Sequence, residues 1–442
     1  MATVLPAGPY RSVTLDNGDS APFYVLPFDK RGVCEAPKTR AQLIDSLAQG
    51  RYTDVFLFSH GWNNDWTVAT KRYDDFLRGF LQMRAQFKLT AAAGYRPLLV
   101  GIFWPSTALT FGEAEEGPAM AGAPDDDAVA RERHDIAELG ARLAPADAAR
   151  FFDLAQRDAI TEEQARELGA MFAPLGGGRD GELPDTAPTA ADLVDALFAV
   201  SESDGALDDF GTATPTRRGE AQIAGVIDIV KTLDPRQLIR GFTVWQMKDR
   251  AGTVGASGVA PLLNDLLAKS AARLHLVGHS FGAKVMMSAV CVAPLPRNIR
   301  SALLLQPAIS HLCFAETVED TGRPGGYRQA LARVDGRILT TFSSHDQPLT
   351  KLFHLAFRRA SDLGEAQIAA AGEPPSPYAA LGGFGPRGAG EKILDINDPP
   401  QPYVWPARTK LIGLKGDRTI SGHGDISNPS TWWALYSGAF AQ

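Results

Sequence analysis

"RLHLVGHSFGAKVMMSAV", Arg273 to Val290, decides how the rest of the chain is read. Its first part, "RLHLV", is a short apolar run of the kind that forms a fully buried strand. Its last part runs on through "AKVMMSAVCVA" with the character of a helix, stopped by Pro294. Between them, Gly278-His279-Ser280-Phe281-Gly282 sets one serine, framed by two glycines, at the passage from strand to helix. A sharp turn there lifts the hydroxyl to the C-terminal edge of a sheet, next to a helix N-terminus. The flanking glycines leave room where backbone segments crowd together. The stretch predicts a parallel sheet and a serine poised as a nucleophile; a merely structural turn serine is the other reading.

The pattern repeats outward. "DVFLFSHGW", Asp54 to Trp62, is a buried run ending in Ser, His and Gly. Tyr73, Phe76, Leu77, Phe80 and Leu81 follow at helical spacing. "RPLLVGIFWPS" is another buried run, stopped at Pro105. Strand, helix, strand is a βαβ unit, which favours a parallel sheet. Before it, "SVTL" and "PFYVLPF" flank Asp16-Asn17-Gly18-Asp19, a hairpin signal. After the opening stretch, "IRSALLLQP" and "RILTTFSS" read as strands and "PLTKLFHLAFRRA" as a helix. "TKLIGLKG" reads as the last strand and "NPSTWWALYSGAF" as a closing helix with Pro429 near its start. Residues 372–402 read as a Gly/Pro-rich connection. "LIRGFTVWQM" is a further strand candidate.

Residues 108–233 differ in character. "GEAEEGPAMAGAPDDDAVA" is small, acidic and Gly/Pro-rich. Thr161-Glu162-Glu163-Gln164 has the form of a capping box, and Thr189 to Asp192 similarly precedes "LVDALFAV". The expected organisation is an α/β core, 1–107 with 234–442, carrying a mainly helical insertion at 108–233.

A nucleophilic serine needs a base, and the base needs an orienting acid. His423, in "ISGHGDISNP" between the last strand and the last helix, is the predicted base. His345 is its rival. Asp346, at the end of "RILTTFSS", is the predicted acid, with Glu316 as fallback and a plain turn aspartate as the alternative. A tetrahedral oxyanion calls for backbone N–H donors. Phe281 should supply one from the start of the helix, and Trp62 the other from "FSHGWNND"; Trp62 could instead only cover the core. His60, Gly61, Trp104 and His279 are expected near the substrate, with the readings that His60 instead shapes its loop and Trp104 is plain core set against this, and His279 adjoins the serine and packs at the turn rather than serving as base.

With His60-Gly61-Trp62, Gly278 to Gly282, Asp346 and His423 in that order, the chain resembles the α/β-hydrolase-fold serine hydrolases, nearest to esterases and lipases. The resemblance covers roughly 55–104 and 238–440. It implies a mostly parallel sheet flanked by helices, a Ser-His-Asp triad and ester hydrolysis. One departure stands out: the family's cap usually follows the strand after the nucleophile helix, whereas here that connection, 307–336, is short and the large insertion comes earlier. The insertion would then serve as the lid.

The formal charge of -7 gives no basic footprint for nucleic acid. Hydrophobic content of 45% is ordinary for a globular protein, and no run is apolar enough for a transmembrane helix. Cys34, Cys291 and Cys313 form no disulfide framework, and no signal sequence opens the chain, so a cytoplasmic protein is expected. No phosphate loop, HExxH or paired CxxC is present, so neither cofactor nor metal is expected. The expected partner is a small-molecule or lipid-like ester. Amides, peptides, thioesters and acyl transfer would suit the same residues, and a non-catalytic binding protein on this fold is the alternative of another class.

Overall fold

Val55 and Leu57 face one way from their strand, Phe56 and Phe58 the other, and each pair enters a separate core. That two-sided burial makes the run continuously apolar. The computed structural model describes residues 6–15, 18, 20–62, 64–89, 94–106, 140–141, 143–157, 159–172, 232–233, 235, 239, 247–318, 322–353, 374 and 379–440. In chain order these give β1 (Arg11–Thr14), β2 (Ser20–Pro27), α1 (Pro37–Ala48), β3 (Asp54–Ser59), α2 (Trp66–Gln86) and β4 (Pro97–Phe103). Within the insertion lie α3 (Pro145–Ala155), β5 (Ile160–Thr161), α4 (Glu162–Phe172) and β6 (Thr232–Leu233). The core resumes with α5 (Ala260–Lys269), β7 (Arg273–His279), α6 (Phe281–Cys291), β8 (Ser301–Leu305), α7 (Ala330–Arg333) and β9 (Ile338–Phe342). It closes with α8 (Leu381–Phe384), β10 (Lys392–Asp395), β11 (Leu411–Lys415) and α9 (Pro429–Phe440).

Nine strands form one sheet in the order β1-β2-β4-β3-β7-β8-β9-β11-β10. Every neighbouring pair is parallel except β1 with β2. That exception is the predicted hairpin, closed by Gly18 at φ 83° donating to the Leu15 carbonyl at 3.0 Å. Asn17 lies outside the described residues. Helices α1, α5 and α6 pack on one face, and α2 and α9 on the other. Among the described residues no helix is long and apolar enough to cross a membrane.

The connection from β3 leads to β4 on one side, and that from β7 leads to β8 on the other. The C-terminal ends of β3 and β7 therefore border a topological switch point, where open α/β sheets form their crevice. In register Ser59 sits opposite Gly278, so the loops after both strands start side by side.

At the opposite edge a buried polar chain ties the strand starts. His275 reaches Asp54 through Nε2 at 3.0 Å and Ser301 through Nδ1 at 2.7 Å. Arg273 adds a contact to Asp54 at 2.9 Å. Burial alone would raise the Asp54 carboxyl, but hydrogen bonds from His275, Arg273 and Thr53 hold it below its ordinary value.

Several sequence expectations change. Residues 372–402 are not only a connection, because β10 lies there and forms the sheet edge beyond β11. Its side chains are largely exposed, so the run carries no buried-strand signature. Of "LIRGFTVWQM", Met247 belongs to a helical turn rather than a strand, and most of the rest lies outside the described residues. "PLTKLFHLAFRRA" opens with wide, π-type turns at Pro348–Leu352, and its residues from 354 on are outside the description. In the insertion the first capping box forms reciprocally: the Thr161 N–H donates to Gln164 Oε1 at 3.1 Å, and the Gln164 N–H to Thr161 Oγ1 at 3.3 Å. The box at Thr189 falls outside. Across the insertion, the core residues Arg250 and Pro105 join, with Arg250 Nη1 donating to the Pro105 carbonyl at 2.7 Å.

Candidate active site

Ser280 stands between β7 and α6 with φ 54° and ψ -125°, a backbone conformation that side-chain-bearing residues rarely adopt. Such strain costs about 1–3 kcal/mol and persists only where the surroundings enforce it. Here they do: the Ser280 N–H donates to the Leu305 carbonyl at 3.1 Å, and Ala283 N–H to the Ser280 carbonyl at 3.1 Å. Gly282 fits against β3 because a Cβ on it would lie 2.2 Å from the Ser59 carbonyl oxygen.

His423 comes in from the loop between β11 and α9. Its Nε2 lies 2.9 Å from Ser280 Oγ, and its Nδ1 lies 2.8 Å from Asp346 Oδ2. A carboxylate only accepts, so Nδ1 carries the proton and Nε2 faces the serine hydroxyl with its lone pair. Asp346 is wholly buried, and its Oδ1 accepts the Leu349 N–H at 3.1 Å. Ser280, Asp346 and His423 thus stand in one hydrogen-bonded line. His345 is exposed and is not brought to Ser280. Glu316 pairs with Arg328 at the surface, and Asp425 accepts from Ser421.

The residues around Ser280 divide by role. A side chain on Gly61 would begin 2.8 Å from Ser280 Cβ, so the loop after β3 lies directly on the serine. Trp62 is the next residue on that loop. Phe281 is the first residue of α6, where helix N–H groups have no intrahelical acceptor. His60, Trp104 and His279, expected near the substrate, are all buried and committed within the protein. His60 stacks on Trp104 with centroids 5.5 Å apart, its Nε2 accepts the Trp104 N–H at 3.2 Å, and its carbonyl accepts Trp104 Nε1 at 3.0 Å. His279 donates through Nε2 to the His423 carbonyl at 3.0 Å. All three rings are thus buried among the loops that follow β3, β4 and β7. A position at a strand end does not fix where a side chain points.

Residues not singled out in the sequence hold the same loops. Gln306, at φ 39° after β8, donates through Nε2 to the carbonyls of Gly422 at 2.7 Å and His423 at 3.0 Å. Asn64 Nδ2 donates to the carbonyls of Gly61 at 3.0 Å and Trp62 at 2.7 Å. Ser106 exchanges hydrogen bonds with the Asn64 backbone at 3.0 Å each way. Tyr73 Oη accepts the His60 N–H at 3.0 Å and donates to the Ile102 carbonyl at 2.6 Å. The one signal in the sequence was position: Gln306 and Asn64 follow predicted strands.

Burial pushes His60 down to about 3 and holds His279 and His275 below their ordinary values. All three are therefore neutral when folded at pH 7. In the unfolded chain they bind protons below about pH 6.5, while in the folded protein each takes its proton only at a lower pH. Stability is therefore full above that value and falls with pH below it. Each group adds to that fall until the pH reaches its folded value, and His60 keeps contributing down to about pH 3. Asp54 adds a loss at lower pH, since its stabilisation is present above its unfolded value of 3.8 and vanishes as pH falls through the folded one. Urea midpoints should be level from pH 8 to 7 and fall from 6 to 5. A level midpoint down to pH 5 would contradict these buried neutral rings.

Among the described residues no group of three or more His, Cys, Asp or Glu side chains could hold a metal ion. Comparison of the chain with known protein families, with curated proteins and with solved structures finds no match to any of them.

Proposed function

We propose that this protein is a serine hydrolase of the α/β-hydrolase type that cleaves carboxylic esters through an acyl-enzyme intermediate. The observation that carries the reading is the line Asp346–His423–Ser280, with contacts of 2.8 and 2.9 Å, ending on a strained strand-to-helix turn. In this reading Ser280 Oγ attacks the acyl carbonyl carbon while His423 Nε2 takes its proton. Asp346 fixes the imidazole tautomer and stabilises the imidazolium. The oxyanion forms against the N–H groups of Phe281 and Trp62. The tetrahedral adduct collapses as the carbon–oxygen bond to the alcohol breaks, and His423 returns the proton to the leaving alkoxide. Water, deprotonated by His423, then attacks the acyl-serine. The acid leaves and Ser280 recovers its proton.

In the same reading, 108–233 is the lid. Support comes from its point of insertion, since the connection leaves at the C-terminal end of β4, where Trp104 and Ser106 already touch the loop over Ser280. Gln306 and His279 become positioning residues, because both hold the backbone of His423. A fluorophosphonate tests the proposal directly. Peptide mass spectrometry should find its adduct on Ser280. Folded protein that resists labelling would overturn the reading.

A further inference from the structure

Arg72, on α2, meets the site from the side of the His423 loop. Both of its terminal guanidinium nitrogens lie 3.8 Å from the point where a side chain on Gly424 would begin. Gly424 directly follows His423 and is exposed, so this place at the rim is open. Arg72 Nε is sealed from solvent and meets no hydrogen-bond acceptor, and Arg72 forms no ion pair among the described residues. Carboxylates close to it in sequence or at the loop are engaged elsewhere. Asp75 pairs with Lys71 at 2.7 Å and with Arg78 at 3.9 Å. Asp425 accepts from the Ser421 N–H and hydroxyl at 2.9 Å each and from Asn428 at 3.0 Å. The positive charge of Arg72 reaches into the site, where it helps to keep His60 and His279 neutral, after burial as the main cause.

A buried guanidinium with no direct ion pair is unfavourable, and burial pushes Arg72 down with only the charge of Asp75, beyond ion-pair distance, opposing it. The penalty is greater next to the His423 loop, whose imidazole turns cationic in the proposed catalysis, since like charges repel. An anion bound at the rim would remove both penalties. A guanidinium fork suits a carboxylate, which it can grip with two parallel hydrogen bonds. We propose that Arg72 is a specificity-determining residue that receives a carboxylate borne by the ester substrate, at the open place beside Gly424. The inference rests on the serine-hydrolase reading and names the substrate class for it: acidic esters, such as monoesters of dicarboxylic acids or esters of hydroxy acids.

The test compares esters matched in shape and differing in charge. One arm puts the carboxylate on the acyl side, p-nitrophenyl hemiadipate against p-nitrophenyl hexanoate. The other puts it on the leaving group, p-acetoxybenzoate against p-acetoxybenzamide. In at least one arm the ratio of kcat/KM, acidic over neutral, should exceed unity in the wild type and fall about tenfold or more in Arg72→Gln. Arg72→Lys, which keeps the charge and loses the fork, should fall between. The neutral ester divides out any general damage to the site. Ratios that Arg72→Gln leaves unchanged in both arms would overturn the inference while the hydrolase reading stands. Absence of turnover with all four esters would instead count against that reading. Calorimetric binding of adipate to wild type and Arg72→Gln then decides separately. Binding weakened about tenfold or more by the variant supports the carboxylate site, and equal or absent binding refutes it.

Discussion

Ser280→Ala should lower ester turnover by about ten-thousand- to a million-fold, and His423→Ala should do nearly the same. The decisive result is the double variant, which should cost no more than either single one. In the proposed reading the three side chains act in series, with Asp346 holding Nδ1 and Nε2 facing Oγ. Without the hydroxyl there is nothing for the imidazole to activate. Without the imidazole the serine meets no base at 2.9 Å. Independent contributions would multiply in the double variant, and coupled ones would not. Stopped assays over long incubations would measure the residual rates. A double variant falling a further thousandfold would show that the two residues contribute separately. Full activity retained by His423→Ala would discard the assigned base.

Gly282→Ala is expected to prevent folding of the core or to destabilise it by about 3–5 kcal/mol or more. The added methyl would lie 2.2 Å from the Ser59 carbonyl oxygen and 2.4 Å from that of His60. Both are backbone atoms at the end of β3, a strand hydrogen-bonded on both sides to β4 and β7. They can retreat only by moving the centre of the sheet. Against a typical total stability of about 5–15 kcal/mol, that loss is a large share. Gly424→Ala is the fitting control, since the nearest atoms to its new methyl are 3.8 Å away and belong to the end of a long side chain. Urea unfolding of the two variants should separate them sharply. A Gly282→Ala protein with the wild-type midpoint would mean that β7 and α6 approach β3 less closely than the structure has them.

Ser280, Asp346 and His423 could be picked from the sequence for one reason. Each follows an apolar strand, and in a parallel sheet all such strands end on the same edge. Position along the chain therefore translated into position in space. His60 and Trp104 met the same criterion and turned inward onto each other, because strand order sets where a residue emerges and packing sets which way it faces. Gln306 was visible only as a glutamine where an acid might have stood. Its bond to the Gly422 carbonyl joins residues 116 positions apart, which no local pattern encodes. Arg72 was missed for a related reason: on an amphipathic helix an arginine beside Tyr73 reads as part of the wet face. The strand β10 escaped because an edge strand buries too little to need an apolar pattern. In the insertion, the reciprocal bonds of Thr161 and Gln164 were legible because a capping box is wholly local.

The polar chain Ser301–His275–Asp54 gives the protein its own internal comparison. It has the same three residue types in the same order, with contacts of 2.7 and 3.0 Å, but its imidazole is turned round, Nδ1 meeting the serine and Nε2 the aspartate. Its serine, however, opens a regular strand, with no positive φ and no helix starting behind it. A catalogue of side-chain distances would give the molecule two nucleophiles. The main chain distinguishes them further, since only Ser280 stands on a positive-φ turn with a helix starting directly after it. The sheet thus holds the same trio at both of its edges, and only at one is the serine lifted out of a regular strand.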